Sequence, residues 1–510
     1  MKAFLILIDS LNRHFLPCYN PASRVAAEHL TGFSEENITF DSHYVASAPC
    51  MPARRDIFTG RINFLERNWG GMEPFDITLI GTLREHGIFT HITTDHPHYF
   101  EIGGENYCQM FHTWNFERGQ EGDVWVSRVK GSDIPEPHYG KVNSQNQLNR
   151  LAYTKEEEYP TPRTFRSACD WIDSNRGADD YFMMVEAFDP HEPFDCTENY
   201  KELYPDTYDG PYFDWPSYRA LDEETPEAME HLRNEYSATL TMMDHWFGRF
   251  IQKLKDTGIY EESLIVVTSD HGHMLGEHGF AAKNFMPAYQ ELVHIPLLVH
   301  LPGSAYGGKR ISSLTQNIDL MPTFLEHFKI ETPKTVLGKS LLPVIPHDTP
   351  VRDQAIYGWF GKAVNVTDGT HTYFRAPVSE DNQPCFTYGA MPTTFLQYWD
   401  VKPGDYEAGA FLPYTDYPVF KVRFRVEGHY PECPEGLDYV RENLLFDIWS
   451  DPHQNRPLKD EALEAEMIGK LCAALREYQA PAEQWKRLGI ESCSEEIRGD
   501  TNEETKCYYD

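Results

Sequence analysis

Asp9 and Asp270 each close a short apolar run, and His271 follows Asp270 directly. Brought together, two carboxylates and an imidazole would offer a divalent cation hard oxygen ligands and one nitrogen ligand. Arg54 stands four residues after Cys50, so on a helix the two share a face, and the guanidinium could orient a group at position 50 or neutralise an anion beside it. His191, in the stretch Pro190-His191-Glu192-Pro193, and Lys283 are the best candidates for contacting a substrate anion and protonating a leaving oxygen. Each residue also has a plainer role when taken singly: Cys50 as an inert buried thiol, Asp9 as a cap or turn residue, His191 as an exposed loop histidine, Lys283 as a surface lysine.

Such a site needs strand tips that converge. Up to about residue 345 the chain alternates short apolar runs with helical stretches, as in an α/β domain on a mostly parallel sheet. Strands are expected at 4–8, 90–93, 181–186, 264–268 and 297–300, and helices at 74–86, 163–174, 226–257 and 321–328. Three of these strands end at Asp9, at Asp95-His96 and at Asp270-His271, and ligands of doubly wound sheets bind at carboxyl ends. Segments 100–162 and 375–434 lack periodicity and are expected to be loops, either plain connections or walls for a substrate. Later strands are expected at 354–359, 370–374 and 443–447, then a helix at 459–479. The expected division is 1–350 as the catalytic α/β domain, 351–480 as a C-terminal α+β subdomain with substrate-shaping loops, and 481–510 as a peripheral tail.

With 79 acidic against 45 basic residues the formal charge is −34, which opposes binding to nucleic acid or an anionic membrane. An anionic substrate would therefore need its positive charge gathered in one pocket. No apolar run approaches the ~18 to 20 residues of a spanning helix, and the first residues are too short a run for a signal peptide. Ten scattered cysteines suggest neither a disulfide framework nor a C-x-x-C knuckle, so the cytoplasm is the simplest expected compartment.

The stretch Cys50-Met51-Pro52-Ala53-Arg54, followed by Thr59-Gly60-Arg61, resembles the C-x-P-x-R signature of the type I sulfatases in the alkaline phosphatase superfamily. Asp9-Ser10, Pro190 to Phe194, Ser269-Asp270-His271-Gly272, Leu275-Gly276-Glu277-His278-Gly279, Lys283, Asp319 to Thr323 and Leu445-Phe446-Asp447 resemble further blocks of that family in the same order. The resemblance implies an alkaline-phosphatase-like sandwich, a central mostly parallel sheet flanked by helices, with a smaller C-terminal α+β subdomain. It also implies that a formylglycine-generating maturation enzyme oxidises Cys50 to formylglycine. Hydrated to a diol, that residue would join Asp9, Asp270 and His271 around one divalent metal ion, attack the sulfur of a sulfate ester and release sulfate by elimination. The expected substrate is a small anion, a sulfated sugar or an aryl sulfate.

Some positions depart from the family pattern. Ser10 stands where many members have a second Asp, which suits a supporting role, and His271 stands where many have Asn. With fewer carboxylates and one imidazole, calcium remains the ion the family implies and manganese becomes the alternative. The family's lysine block after the second strand is missing, and His96 or His98 could take part of its substrate-binding role or serve as aromatic-cluster histidines. Ala53, the Asp-His-Gly block and the Lys283 spacing also resemble phosphonate monoester hydrolases, so a phosphonate monoester or phosphodiester hydrolase is an alternative. An unmatured, non-catalytic anion or glycan binder is another.

Overall fold

The computed structural model describes residues 1–104, 106–284, 286–394, 396–423 and 442–495. β1 (Lys2–Ile8) is buried along its whole length because both its faces are covered. Phe4, Ile6 and Ile8 enter one core while Ala3, Leu5 and Leu7 enter another, the period-2 alternation of a strand between two helical layers. An eight-stranded sheet surrounds it, built with β2 (Ile38–Phe40), β3 (Phe89–Thr94), β4 (Thr113–Phe116), β5 (Tyr181–Ala187), β6 (Ser263–Ser269), β7 (Leu297–His300) and β8 (Arg310–Ile311) in the order β8-β2-β7-β6-β1-β5-β3-β4. The neighbours β6, β1, β5, β3 and β4 are all parallel, whereas β7 runs antiparallel to both β6 and β2. The carboxyl ends of β6, β1, β5 and β3 therefore lie side by side. Strands β2, β4 and β8 were not expected from the sequence, since they are four residues or shorter and carry little periodic signal.

One layer holds α1 (Glu28–Glu36), α4 (Pro160–Ser174) and the 31-residue α5 (Pro226–Asp256), the last capped by Thr225, whose side chain accepts from Ala228 N–H. The other holds α2 (Cys50–Thr59), α3 (Leu79–Glu85) and α6 (Leu320–His327). The helix expected from residue 74 starts at 79 instead, because Thr78 accepts from Gly81 N–H and caps it there. All ten residues of α2 are buried, so the helix is locked in place. Gly60 ends it at φ 62°, where a side chain would strike Val336.

Beyond the sheet, β9 (Ala355–Gly358), β10 (Val364–Thr367), β11 (His371–Arg375) and β15 (Leu444–Asp447) form an antiparallel sheet covered by α7 (Glu461–Glu477). Its other face, with Tyr357, Phe374 and Phe446, joins Tyr44, Ala53 and Val293 in a shared core. A three-stranded sheet, β12 (Phe386–Gly389), β13 (Tyr406–Gly409) and β14 (Val419–Arg423), occupies part of the segment expected to be loop, whose remainder from 424 lies outside the described residues. The expected peripheral tail is packed in its first part. Trp485, Leu488 and Ile490, in and after α8 (Ala482–Arg487), enter the core against α7, and Cys472 is disulfide-bonded to Cys493, whereas 496–510 lie outside the described residues. Among the described residues no helix is long and apolar enough to cross a membrane.

Candidate active site

Four neighbouring strand tips and the first turn of α2 build the site. Asp9 follows β1, Asp270 and His271 follow β6, Glu186 stands near the end of β5, and Cys50 opens α2. Ser10 turns the chain sharply after Asp9, at φ 57°. Arg54, one turn after Cys50 and wholly buried, reaches all three carboxylates. Its Nη2 donates to Asp9 Oδ2 at 2.7 Å, its Nε to Glu186 Oε1 at 2.7 Å and its Nη1 to Asp270 Oδ2 at 2.5 Å. Thr94 and Tyr99 hydroxyls also donate to Glu186, at 2.8 and 3.0 Å.

Asp9, Cys50, Asp270 and His271 each present one ligand atom within 4.8 Å of the others. His271 Nδ1 donates to the carbonyl of Gly272 at 2.6 Å, which fixes the proton there and leaves Nε2 with a lone pair, 3.3 Å from Cys50 Sγ. Ser10 is not among the ligands. Its hydroxyl donates to Asp9 Oδ1 at 2.8 Å and accepts from Lys283 Nζ at 2.9 Å. Lys283 also lies 3.3 Å from Glu192 Oε2, which His273 Nε2 meets at 2.9 Å and whose other oxygen accepts from Tyr218. The imidazole of His191 donates from Nδ1 to the Glu192 carbonyl and stacks on Phe188.

The charges in this centre do not balance. Asp9, Glu186, Glu192 and Asp270 are four buried carboxyl groups against two buried cations, Arg54 and Lys283. Burial opposes ionisation of Asp9, but Arg54 outweighs it and holds the carboxyl well below its ordinary range. Burial also works against the charge of Lys283, yet Glu192, Cys50 and Asp9 keep its ammonium above the usual value. Burial lowers His271 despite Asp270, and lowers His191 to about 3 despite Glu192, so both imidazoles are neutral. Burial, then the Asp9 charge, pushes the Cys50 thiol well above its ordinary value, so the unmodified side chain is a poor nucleophile. A divalent cation among the four donors would cancel the excess negative charge, and the donor set therefore fits one.

A cleft of about 870 Å³ opens above these groups and is lined by Cys50, His191 and Lys283. Much of its wall comes from 97–143, largely within the aperiodic segment 100–162, including Glu121 and Lys141, with His98 just before it and Trp69, Trp215 and Tyr218 adding aromatic surface. His98 faces Glu101 at 3.0 Å and Glu121 at 3.3 Å, and these carboxylates overcome burial to raise its imidazole to about 9. His96, by contrast, is wholly buried, stacks on Tyr99 and lies 3.5 Å from Asp9 Oδ2, behind the cleft rather than along it. Tyr398, Trp399, Tyr406 and Tyr414 do not line the cleft either. Tyr414 packs under Arg61, and Trp399 and Tyr406 meet Phe420 edge-on. Sequence reasoning missed Glu186 and the support given by Glu192. The available signal for Glu186 was a single carboxylate within the apolar run 181–187.

Comparison with known proteins places this arrangement among related chains. The family model described as Sulfatase matches residues 2–330. The uncharacterized sulfatase YidJ of Escherichia coli (strain K12) is 26% identical over 356 residues, covering 66% of this chain and 70% of its own length. The crystal structure of a phosphonate monoester hydrolase from Agrobacterium radiobacter superposes with a TM-score of 0.66 at 16% identity, covering 94% of this chain and 96% of that one. BT4656, solved in complex with its substrate D-glucosamine-2-N,6-O-disulfate, superposes with a TM-score of 0.62 at 17% identity, covering 94% and 98%. At these identities the likeness shows that the chain shares the fold of both proteins.

Proposed function

The chain belongs to the sulfatase family, and from that premise we propose that it hydrolyses a sulfate ester at formylglycine derived from Cys50, with one divalent cation held by Asp9, Asp270, His271 and residue 50. The observation that carries this is the buried donor set: four ligand atoms within 4.8 Å, amid excess negative charge, at the base of a cleft. When bound, the cation would lower the pKa of an oxygen ligand and draw charge from the transferred group, with calcium the family's ion and manganese favoured by the imidazole. A formylglycine hydrate supplies one hydroxyl for attack and a second whose deprotonation lets sulfate leave, which a plain Cys or Ser cannot do.

The chain's own residues do the rest. Arg54 holds Asp9 and Asp270 at fixed separation and restrains their charge. Lys283 faces the cleft as a permanent cation, suited to the sulfate oxygens and to the leaving oxygen. His191, with Nδ1 tied to a carbonyl, keeps a lone pair at Nε2 and can exchange a proton there once an anion is bound. Glu192 holds Lys283 and His273, and His98 supplies positive charge to the cleft wall. Cys50 is 1% exposed, which supports the reading that a maturation enzyme acts on it before α2 packs.

For substrate we propose a short sulfated sugar. The cleft volume suits such a ligand, its walls carry Trp69, Trp215 and Tyr218 for sugar faces, and BT4656 takes a disulfated glucosamine. Acting in the cytoplasm, such an enzyme would meet imported small sugars. We assign the catalytic groups to 1–350 and a supporting role to 351–480. The alternative, phosphonate monoester hydrolysis on the same residues, draws support from Ser10 and His271. Ion chromatography of sulfate released from glucosamine 6-sulfate by matured protein tests the first reading: release absent from a Cys50→Ala control supports it, and no release with full conversion of Cys50 rejects this substrate.

A further inference from the structure

Away from the cleft, a second group of metal-ligating side chains gathers where the first part of the chain meets its C-terminal sheet. His14 lies in the turn Arg13–Phe15 after β1, Glu291 in the short helix Gln290–Val293, and His453 after β15. One ligand atom of each lies within 4.8 Å of the others. Glu291 is 1% exposed, and neither carboxylate oxygen has a hydrogen-bond partner. A buried carboxylate in that state is costly unless a cation satisfies it. The nearest groups are imidazoles: His453 Nδ1 stands 3.6 Å from Oε1 and His278 Nε2 3.7 Å from Oε2, both beyond hydrogen-bond length. The ring of His278 is held by stacking on Tyr289, with centroids 3.7 Å apart, and the ring of His14 lies edge-on to that of His453 at 5.3 Å.

We propose that His14, Glu291 and His453 bind a zinc-class divalent ion separate from the active-site metal. Imidazole nitrogens with one carboxylate oxygen form the ligand set that suits zinc, whereas calcium prefers an all-oxygen shell.

The site's position gives the ion a bracing role. Gly272, directly after His271, donates its N–H to Leu292 O at 2.8 Å, and its Cα is so close to the Glu291 carbonyl that a Cβ would lie 1.9 Å from it. The helix bearing Glu291 is thus seated on the turn that carries Asp270 and His271. Gln454, next to His453, accepts from Gln290 N–H at 2.9 Å, so an ion here clips the C-terminal segment onto that same turn.

The test is a zinc titration of the full-length chain in the Cys50→Ala background with excess calcium present, using a chromophoric competitor, with cobalt as spectroscopic reporter. The proposal expects one equivalent of zinc, a cobalt spectrum of a nitrogen-ligated ion and a melting temperature that rises with zinc. His14→Ala and His453→Ala should each weaken binding by at least the ~10- to 100-fold that loss of a supporting partner costs at metal sites, and abolish the thermal response. His453 is 60% exposed, so its replacement keeps the test valid should His14→Ala fail to fold. No zinc retained in excess calcium, or equal retention by the parent and the His453 variant, overturns the proposal. Neither result bears on sulfate release, which is measured separately.

Discussion

Glu186→Ala would remove the buried carboxylate that pins the Nε edge of Arg54. In the folded chain that carboxylate takes hydrogen bonds from Arg54 Nε at 2.7 Å, Thr94 Oγ1 at 2.8 Å and Tyr99 OH at 3.0 Å, with every partner out of solvent. Breaking one side of a buried ion pair costs about 3–5 kcal/mol, because the remaining charge stays buried and unpaired. Arg54 keeps Asp9 and Asp270, so the lower end of that range is expected, with the orphaned Thr94 and Tyr99 hydroxyls adding to it. Glu186→Gln keeps one acceptor oxygen for Arg54 and Tyr99 and should cost about 1–3 kcal/mol. Because a chain of this size need not unfold in two states, the readout is the order of melting temperatures, parent above Gln above Ala, together with kcat and metal affinity. With Glu186 gone, Arg54 can shift further onto Asp9 and Asp270 and compete with the cation, so metal affinity should fall in step. An Ala variant with parental melting temperature, kcat and metal affinity would refute the view that Glu186 anchors the site.

Lys283→Ala should lower kcat by about 10²–10³, the loss typical of one electrostatic donor to a transition state, as steady-state kinetics would show, and should also lower the melting temperature because buried Glu192 loses its cation. Chelation should abolish turnover and lower the melting temperature, and readdition of calcium or manganese should restore both, with the better ion identified by activity. The His98 imidazole is raised from 6.5 to about 9 by Glu121 and Glu101 against burial, so it stabilises the fold fully below about pH 6.5 and loses that contribution as pH rises through about 9. The melting-temperature difference between parent and His98→Gln should therefore shrink across that window, and a constant difference would contradict the assignment. Arg352 grips Asp319 through two bonds of 2.5 Å in a buried pair, so Arg352→Ala should lower the melting temperature by breaking it, at a cost of about 3–5 kcal/mol.

How much was legible in advance depended on burial. β1, β5, β6 and β7 were readable because strands covered on both faces are mostly apolar, whereas β3, with Thr90, His91, Thr93 and Thr94, is buried but polar, and the polar residues that follow β1, β3 and β6 marked the end of the sheet where ligands bind. The grouping of Asp9, Cys50, Asp270 and His271 followed from that logic and from the family pattern. Glu186 escaped notice because its role is set by Arg54, 132 positions away, and nothing local distinguishes a structural carboxylate in a strand. His96 and His98 could not be told apart in advance for a related reason: they share a turn, yet one ring faces Asp9 and the other faces Glu101 and Glu121. The cleft walls from 97–143 have no periodicity to read, since their form comes from contacts with distant segments such as Trp215 and Tyr218. In the tail, the apolar residues Trp485, Leu488 and Ile490 do pack, but they are too few to signal a helix against α7.

The most direct test of the central claim is kcat/KM for paired aryl sulfate and aryl phosphonate monoesters, using protein whose Cys50 has been shown by mass spectrometry to be formylglycine, beside a Cys50→Ala control. The account predicts a clear preference for the sulfate that disappears in the control. A preference for the phosphonate, or equal activity in the control, would contradict it.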